Sequence, residues 1–251
     1  MRYRIPYTAG SRGVIVLLLM LQAETAKAQG YQVQPMIAAL TPTGPGASVR
    51  MVIKNAGAIP ITLELQPFRV VVSDDGTPER TAEDRDIVVF PPQTILPPGR
   101  EQAVQVRYVG DPAIDRTHAY GIKVAQLPVA FGKGETGKGA AADVKISFSF
   151  LSHLFVSPPG AKGAITVQRI TRAPDGSVQI AVSNDGNGVV LLNEAIWTVS
   201  DTKGHSLQIA NKDIKMGNFS AMMPHQARLA TLPATDVAKL EGELHASVRL
   251  P

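Results

Sequence analysis

The sequence predicts an all-β protein: two immunoglobulin-like β-sandwich domains joined by a short Pro-rich linker and preceded by a cleaved signal peptide. Three observations carry this. Short runs rich in Val, Ile, Phe and Tyr place apolar residues at every second position, the spacing that gives a strand one apolar face. Clusters of Pro, Gly, Asn and Asp separate these runs, as turns do. No sustained helical periodicity competes with them.

At the start, Arg2, Arg4 and Arg12 precede an unbroken apolar run from Val14 to Leu21, and Ala26-Lys27-Ala28 offers a small-x-small cleavage site. Charge, apolar core and cleavage site in that order read as a secretory signal over residues 1–28. The run falls well short of the roughly 20 apolar residues of a membrane span, and no later segment qualifies, so no stable membrane insertion is expected. The signal holds a net +3 of the formal +4 charge, leaving about +1 on the mature chain. That balance does not suggest a nucleic-acid partner. The chain has no cysteine, which excludes disulfides and a thiol nucleophile. An exported chain without disulfides must draw its stability from sizeable cores.

The first domain is expected over residues 29–157. Its strand-like runs are Tyr31–Leu40, Val49–Ile53, Ile61–Val72 with a bulge at Pro67, Ile87–Phe90, Ala103–Val109 and Ala119–Leu127, followed by one long run. Turns fall at Pro42–Gly46, Asn55-Ala56-Gly57, Asp74-Asp75-Gly76 and Pro97-Pro98-Gly99. Seven strands at this spacing suit an immunoglobulin-like sandwich. Residues 158–162 form a linker stiffened by Pro158 and Pro159. The second, smaller domain spans 163–251, with runs at Ile165–Ile170, Val178–Val182, Val189–Ser200, Ser206–Ile209, Ala227–Thr231 and Leu244–Leu250. Ala234–Leu240 is the one helix-like patch. Trp197, the only tryptophan, is expected in the second core.

The long run covers Asp143–Val156. Val144, Ile146, Phe148 and Phe150 alternate with Lys145, Ser147 and Ser149, and 14 extended residues would span ~46 Å. Such a strand is either the last core strand of a domain or one that offers an edge and apolar knobs to another chain.

Other patterns look chemical without supporting chemistry. Gly132, Gly134 and Gly137 satisfy G-x-G-x-x-G, and Gly132 with Gly137-Lys138 approaches a P-loop. Both motifs require a helix to follow, whereas an alternating strand follows here. A flexible connecting loop is expected. The five histidines form neither an i,i+4 pair nor HExxH, and no G-x-S-x-G elbow occurs. No enzyme, cofactor or metal is expected.

The order of these features resembles the periplasmic chaperones of the chaperone–usher pilus pathway, of PapD-like type, in a divergent branch. Phe90-Pro91-Pro92 and Leu96-Pro97-Pro98-Gly99 are similar to the family's proline pair and L-x-P-G turn. Asp115-Arg116 and Leu127-Pro128 match its acidic-Arg segment and terminal I-P, and Leu154-Phe155 with Pro158 fits K-L-F-Y-R-P. The resemblance implies a non-enzymatic periplasmic chaperone without cofactors. Its partners would be incomplete pilus, fimbrial or coat-like subunits and an outer-membrane usher. It implies that the long strand supplies the strand a subunit lacks, through Val144, Ile146 and Phe148, with Phe150 extending the row and His153 and Leu154 completing the subunit-binding set. His153 stands where the family has a carboxylate-anchoring Lys, and the companion Arg falls near Ile37–Ala39, where no basic residue occurs. Thr117 and Ser157 replace the Glu and Arg of the family's interdomain ion pair. The competing reading is a secreted structural or carbohydrate-binding β-sandwich protein.

Overall fold

The computed structural model describes residues 30–128, 147–193 and 195–250. The signal segment, the Gly132–Gly139 motif, Val144 and Ile146 lie outside them.

In the first unit, β1 (Tyr31–Gln34) and β2 (Ile37–Leu40) are followed by β3 (Ser48–Asn55), β4 (Ile61–Val72), β5 (Pro78–Ala82), β6 (Ile87–Phe90), β7 (Gln93–Leu96), β8 (Glu101–Tyr108), β9 (His118–Leu127) and β10 (Ser149–Val156). One sheet runs β1-β3-β8-β6 and the other β2-β10-β9-β4-β5, with β7 also paired to β4. Met51, Ile53, Leu63, Val106, Ile122 and Leu154 are among the buried side chains packed between them. These residues alternate with polar ones in sequence, so each strand turns its apolar face inward.

Two expectations about this unit change. The single run Tyr31–Leu40 is two strands in different sheets, because Pro35 has no N–H to continue a ladder. No bulge occurs at Pro67: the register from Gln66–Lys123 through Pro67–Ile122 to Phe68–Gly121 is continuous. Pro67 falls where β7 has ended and β5 has not begun, so its missing N–H interrupts no ladder.

The second unit holds β11 (Ile165–Arg172), β12 (Val178–Asn184), β13 (Val190–Leu191), β14 (Ile196–Asp201), β15 (Ser206–Ala210), β16 (Ala221–Met222), β17 (Ala227–Leu232) and β18 (Leu244–Arg249). They form the sheets β11-β12-β17, β13-β16 and β15-β14-β18. Trp197 is fully buried in their core, and its indole N–H donates to Asn211 Oδ1 at 3.1 Å. The run Val189–Ser200 splits into β13 and β14, and Ala234–Leu240 forms turns rather than a helix. With so few residues and Pro233 before it, that patch cannot offset helix nucleation.

Each unit closes a strand with a buried asparagine. Asn55 Nδ2 donates to Ile59 O and Leu96 O, and Gly57 N–H donates back to its Oδ1. Asn184 Nδ2 donates to Gly188 O and Met222 O, and Gly186 N–H donates to its Oδ1. Both side chains satisfy loop backbone that would otherwise be unpaired.

Candidate functional site

All eight residues of β10 pair antiparallel with β9, from Ser149–Ala125 to Val156–His118. On the other edge only His153–Val156 are paired, in parallel with Ile37–Leu40 of β2. The N-terminal half of β10 therefore has one bonded edge and one open edge among the described residues. His153 N–H donates to Met36 O at 2.9 Å on the β2 side, and Phe148 O accepts Gln126 N–H at 3.1 Å on the β9 side. Backbone groups alternate in direction along a strand, so those of Ser149 and Leu151 point, like those of His153, toward the open edge. Such a row of unpaired donors and acceptors is a template for another strand.

Side chains along β10 divide between two faces. Ser152, Leu154 and Val156 are fully buried on the core side. Ser152 Oγ donates to Pro35 O at 2.8 Å, which holds the β1–β2 crossing against β10. Phe150 continues this row and packs edge-on against Tyr31 at 4.9 Å. The Tyr31 hydroxyl is shared between Val124 O at 2.6 Å and Phe148 O at 3.0 Å. Burial pushes that phenol up to about 12, so it remains a hydrogen-bond donor. Phe148 lies beyond the end of the core row and is 41% exposed. Leu154 is therefore a core residue whose side chain is not offered to a partner, Phe150 is half-buried, and Phe148 is exposed among the described residues.

The opposite face of β10 carries Leu151, His153 and Phe155. The His153 ring stacks edge-on against Phe68 at 6.0 Å and Phe219 of the second unit at 5.2 Å. Its Nε2 is buried with no hydrogen-bond partner among the described residues. Burial, helped by the positive charge of Arg80, pushes the imidazole below its ordinary value. The ring is neutral at neutral pH, which does not suit the charged role that its alignment with an anchoring lysine implied. Gly121, opposite His153 in the ladder, leaves room for Phe68: a Cβ there would collide with the Phe68 ring and with Ser152 O.

Sequence reasoning missed the exposed residues flanking the open edge. Met36 is 43% exposed and Ile37, the direct ladder partner of His153, is 50% exposed. Pro35, which breaks the run Tyr31–Leu40, was the available signal. Lys123, opposite Leu151 and exposed, is a cation on the same face. No group of three or more His, Cys, Asp or Glu among the described residues is arranged to hold a metal.

Residues 39–162 match the family described as pili and flagellar-assembly chaperone, PapD N-terminal domain. The first domain resembles the N-terminal domain of PapD-like pilus-assembly chaperones. The proteins it resembles are pilus-assembly chaperones rather than enzymes. Comparison with curated protein sequences finds no significant match. Solved structures share the fold over most of both chains. The class 5 fimbriae chaperone CfaA is 12% identical, with 88% of this chain and 100% of that one covered at a TM-score of 0.54. The Escherichia coli chaperone DraB is 17% identical, covering 86% of this chain and 87% of that one at 0.54. A chain from the Salmonella enterica complex of SafA pilin with the SafB chaperone is 13% identical, covering 88% and 96% at 0.53. At such identities the likeness is one of fold: two immunoglobulin-like β-sandwiches. Among the described residues, no helix is long and apolar enough to cross a membrane.

Proposed function

We propose that this chain captures pilus or fimbrial subunits that lack a strand, offers them the open edge of β10, and delivers them to an outer-membrane usher. The observation that carries the reading is the half-paired β10. Ser149 and Leu151 present backbone hydrogen-bonding groups without a described ladder partner, next to exposed Phe148, Met36 and Ile37. A subunit missing a strand has the complementary defect: unpaired backbone and an open apolar groove, both costly in water. Strand addition satisfies both at once. Phe148 has the parity of Ile146 and Val144 in the sequence, so the donor row consists of these three. Phe150 anchors the row in the first core, and Leu154 only supports it. Structural relatives include a complex of a chaperone with a pilin, in keeping with subunits as partners. Export by residues 1–28 into the periplasm belongs to the same reading, as does the partition into domains at 29–157 and 163–251 about the 158–162 linker. Trp197 is buried and cannot serve as a platform for a sugar.

The test is periplasmic co-expression with a small exported β-sandwich protein encoded beside this chain's gene, followed by native mass spectrometry. The parent should yield a one-to-one complex. Burying a phenylalanine contributes about 1.5–3 kcal/mol, so Phe148→Asp should weaken capture by at least about tenfold while the melting temperature stays put. Equal capture by the variant, or no complex with the parent, overturns the proposal.

A further inference from the structure

Relatives of this chain would hold their two domains with an ion pair, but Thr117 and Ser157 meet here as a neutral hydroxyl pair at 2.8 Å. Beside that pair, Thr117 N–H donates to Asn187 O at 2.9 Å and Asn187 Nδ2 donates to Asp115 O at 3.3 Å across the boundary, and a second set of contacts joins the units at the β4–β5 hairpin. The β4–β5 hairpin turns at Ser73–Thr77, where Gly76 N–H donates to Ser73 O at 2.9 Å and Gly76 adopts φ of 79°. Against its tip sits the loop Met216–Phe219 of the second unit, where Gly217 adopts φ of 87°. The two backbones touch. A Cβ on Gly76 would stand 2.6 Å from Met216 O and 3.0 Å from Gly217 Cα, and one on Gly217 would stand 2.6 Å from Gly76 Cα. Both left-handed conformations favour glycine, and the contact itself leaves no space for a side chain on either partner. Asn218 N–H then donates to Gly76 O at 3.2 Å.

Beside this contact, Gln226 reaches across with Nε2 and donates to Val72 O at 3.1 Å and Ser73 O at 2.8 Å. Its Oε1 accepts from Met223 N–H at 3.0 Å and from Arg228 Nη2 at 3.1 Å. Arg228 is 3% exposed and donates to Phe219 O and Ala221 O, and no described ion pair includes it. A buried guanidinium spent on carbonyls holds the 219–221 segment in one shape. That segment carries Phe219, which closes on His153 and joins Phe68, Val70 and Phe155 in an apolar cluster shared by the two units.

We infer that Gly76, Gly217 and Gln226 are positioning residues for subunit capture: they clamp the second domain onto the β4–β5 hairpin without an ion pair and so fix the wall beside β10. The inference rests on the proposed capture role, and the clamp can be measured without a subunit. Domains joined by a modest interface move relative to one another by default. Here the direct restraint is backbone fit and neutral hydrogen bonds, which salt does not screen as it screens charges; the Asp75 carboxylate acts on the Arg228 guanidinium across the boundary only beyond ion-pair distance.

Small-angle X-ray scattering of the protein alone tests the clamp, with parallel capture of the co-expressed subunit described above. Gly217→Val should raise the radius of gyration and weaken capture about tenfold. Gly204→Val is the control: Gly204 also has positive φ, at 92°, but a Cβ there meets nothing within 4 Å, so it should change neither. Gln226→Leu should open the domains in the same direction as Gly217→Val and serves if that variant fails to fold. The parent curve should not change between low and high salt. A Gly217→Val or Gln226→Leu curve that overlays the parent, or a parent that opens with salt, overturns the clamp. A parent that captures nothing refutes the capture role and leaves the scattering result standing for the clamp. Open domains with undiminished capture would show that these residues do not position the site.

Discussion

His153 and Ile37 are direct partners in the parallel ladder between β10 and β2. These are the two neighbourhoods in which the family resemblance implies a cationic clamp, and here one holds a buried neutral ring and the other an exposed aliphatic side chain. Both side chains sit in one cross-strand row, so the buried ring and the aliphatic side chain are direct neighbours.

The His153 ring makes acid stability a direct readout of this row. Its folded-state value is depressed by burial and by Arg80; the Phe68, Phe219 and Ile37 side chains that also face it carry no ionisable group. The unfolded ring takes up a proton near pH 6.5, before the folded one does. Its contribution to stability is therefore fully present above that pH and is lost as pH falls below it. His153→Leu should flatten the melting temperature between about pH 7 and pH 5 relative to the parent. Identical slopes for the two proteins would show that His153 is not held neutral.

Tyr31→Phe removes the hydroxyl shared by Val124 O and Phe148 O while leaving the ring on Phe150. The loss should cost about 1 kcal/mol in denaturant unfolding. It should also speed amide exchange at Phe148 and Phe150 more than at Leu154, since only the start of β10 depends on that bond. Uniform exchange along the strand would contradict this role.

Gly121→Val places a branched side chain against the Phe68 ring and Ser152 O. Overpacking of this kind costs about 1–3 kcal/mol. The displaced Phe68 should also loosen its contact with His153, visible as a shift of the His153 ring resonances. A variant as stable as the parent, with those resonances unmoved, would refute the packing role.

Asp201 anchors the β14–β15 turn of the second domain. Burial alone would raise its carboxyl, but the Glu241 N–H, the His205 ring and the His205 N–H bond it. Together they hold it well below the usual carboxylate range. Stability from this group is present above the unfolded value of about 3.9 and is lost as pH falls toward the folded one. Asp201→Asn should lower the melting temperature at pH 7, and the gap from the parent should narrow below about pH 3.9. A gap that persists unchanged into acid would assign the effect to shape rather than charge.

Alternation alone placed Val49–Ile53, Ile61–Val72, Ile87–Phe90 and Ala119–Leu127 as strands, since a period of two is a property of consecutive residues and needs no partner to be seen. Pro, Gly and Asn marked the turns for the same local reason. Trp197 belonged inside because nothing else so large and apolar was available for the second core. Strands β5, β7 and β16 were not legible: Pro78–Ala82 is polar and exposed at a sheet edge, Gln93–Leu96 is four residues lying between two proline pairs, and Ala221-Met222 is too short to carry a period.

The candidate site divides in the same way. Phe148 and Phe150 were visible as a row, but only the sandwich showed that Tyr31 closes over Phe150 and leaves Phe148 exposed. Leu154 looked equivalent to them until β2 covered the end of β10. The ring of His153 is covered in part by Phe219, which arrives from the other domain, and the clamp depends on Gly76 and Gly217 meeting across that boundary. Periodicity states which face of a strand is apolar. What covers that face, and which edge stays open, is decided by contacts between residues distant in the chain.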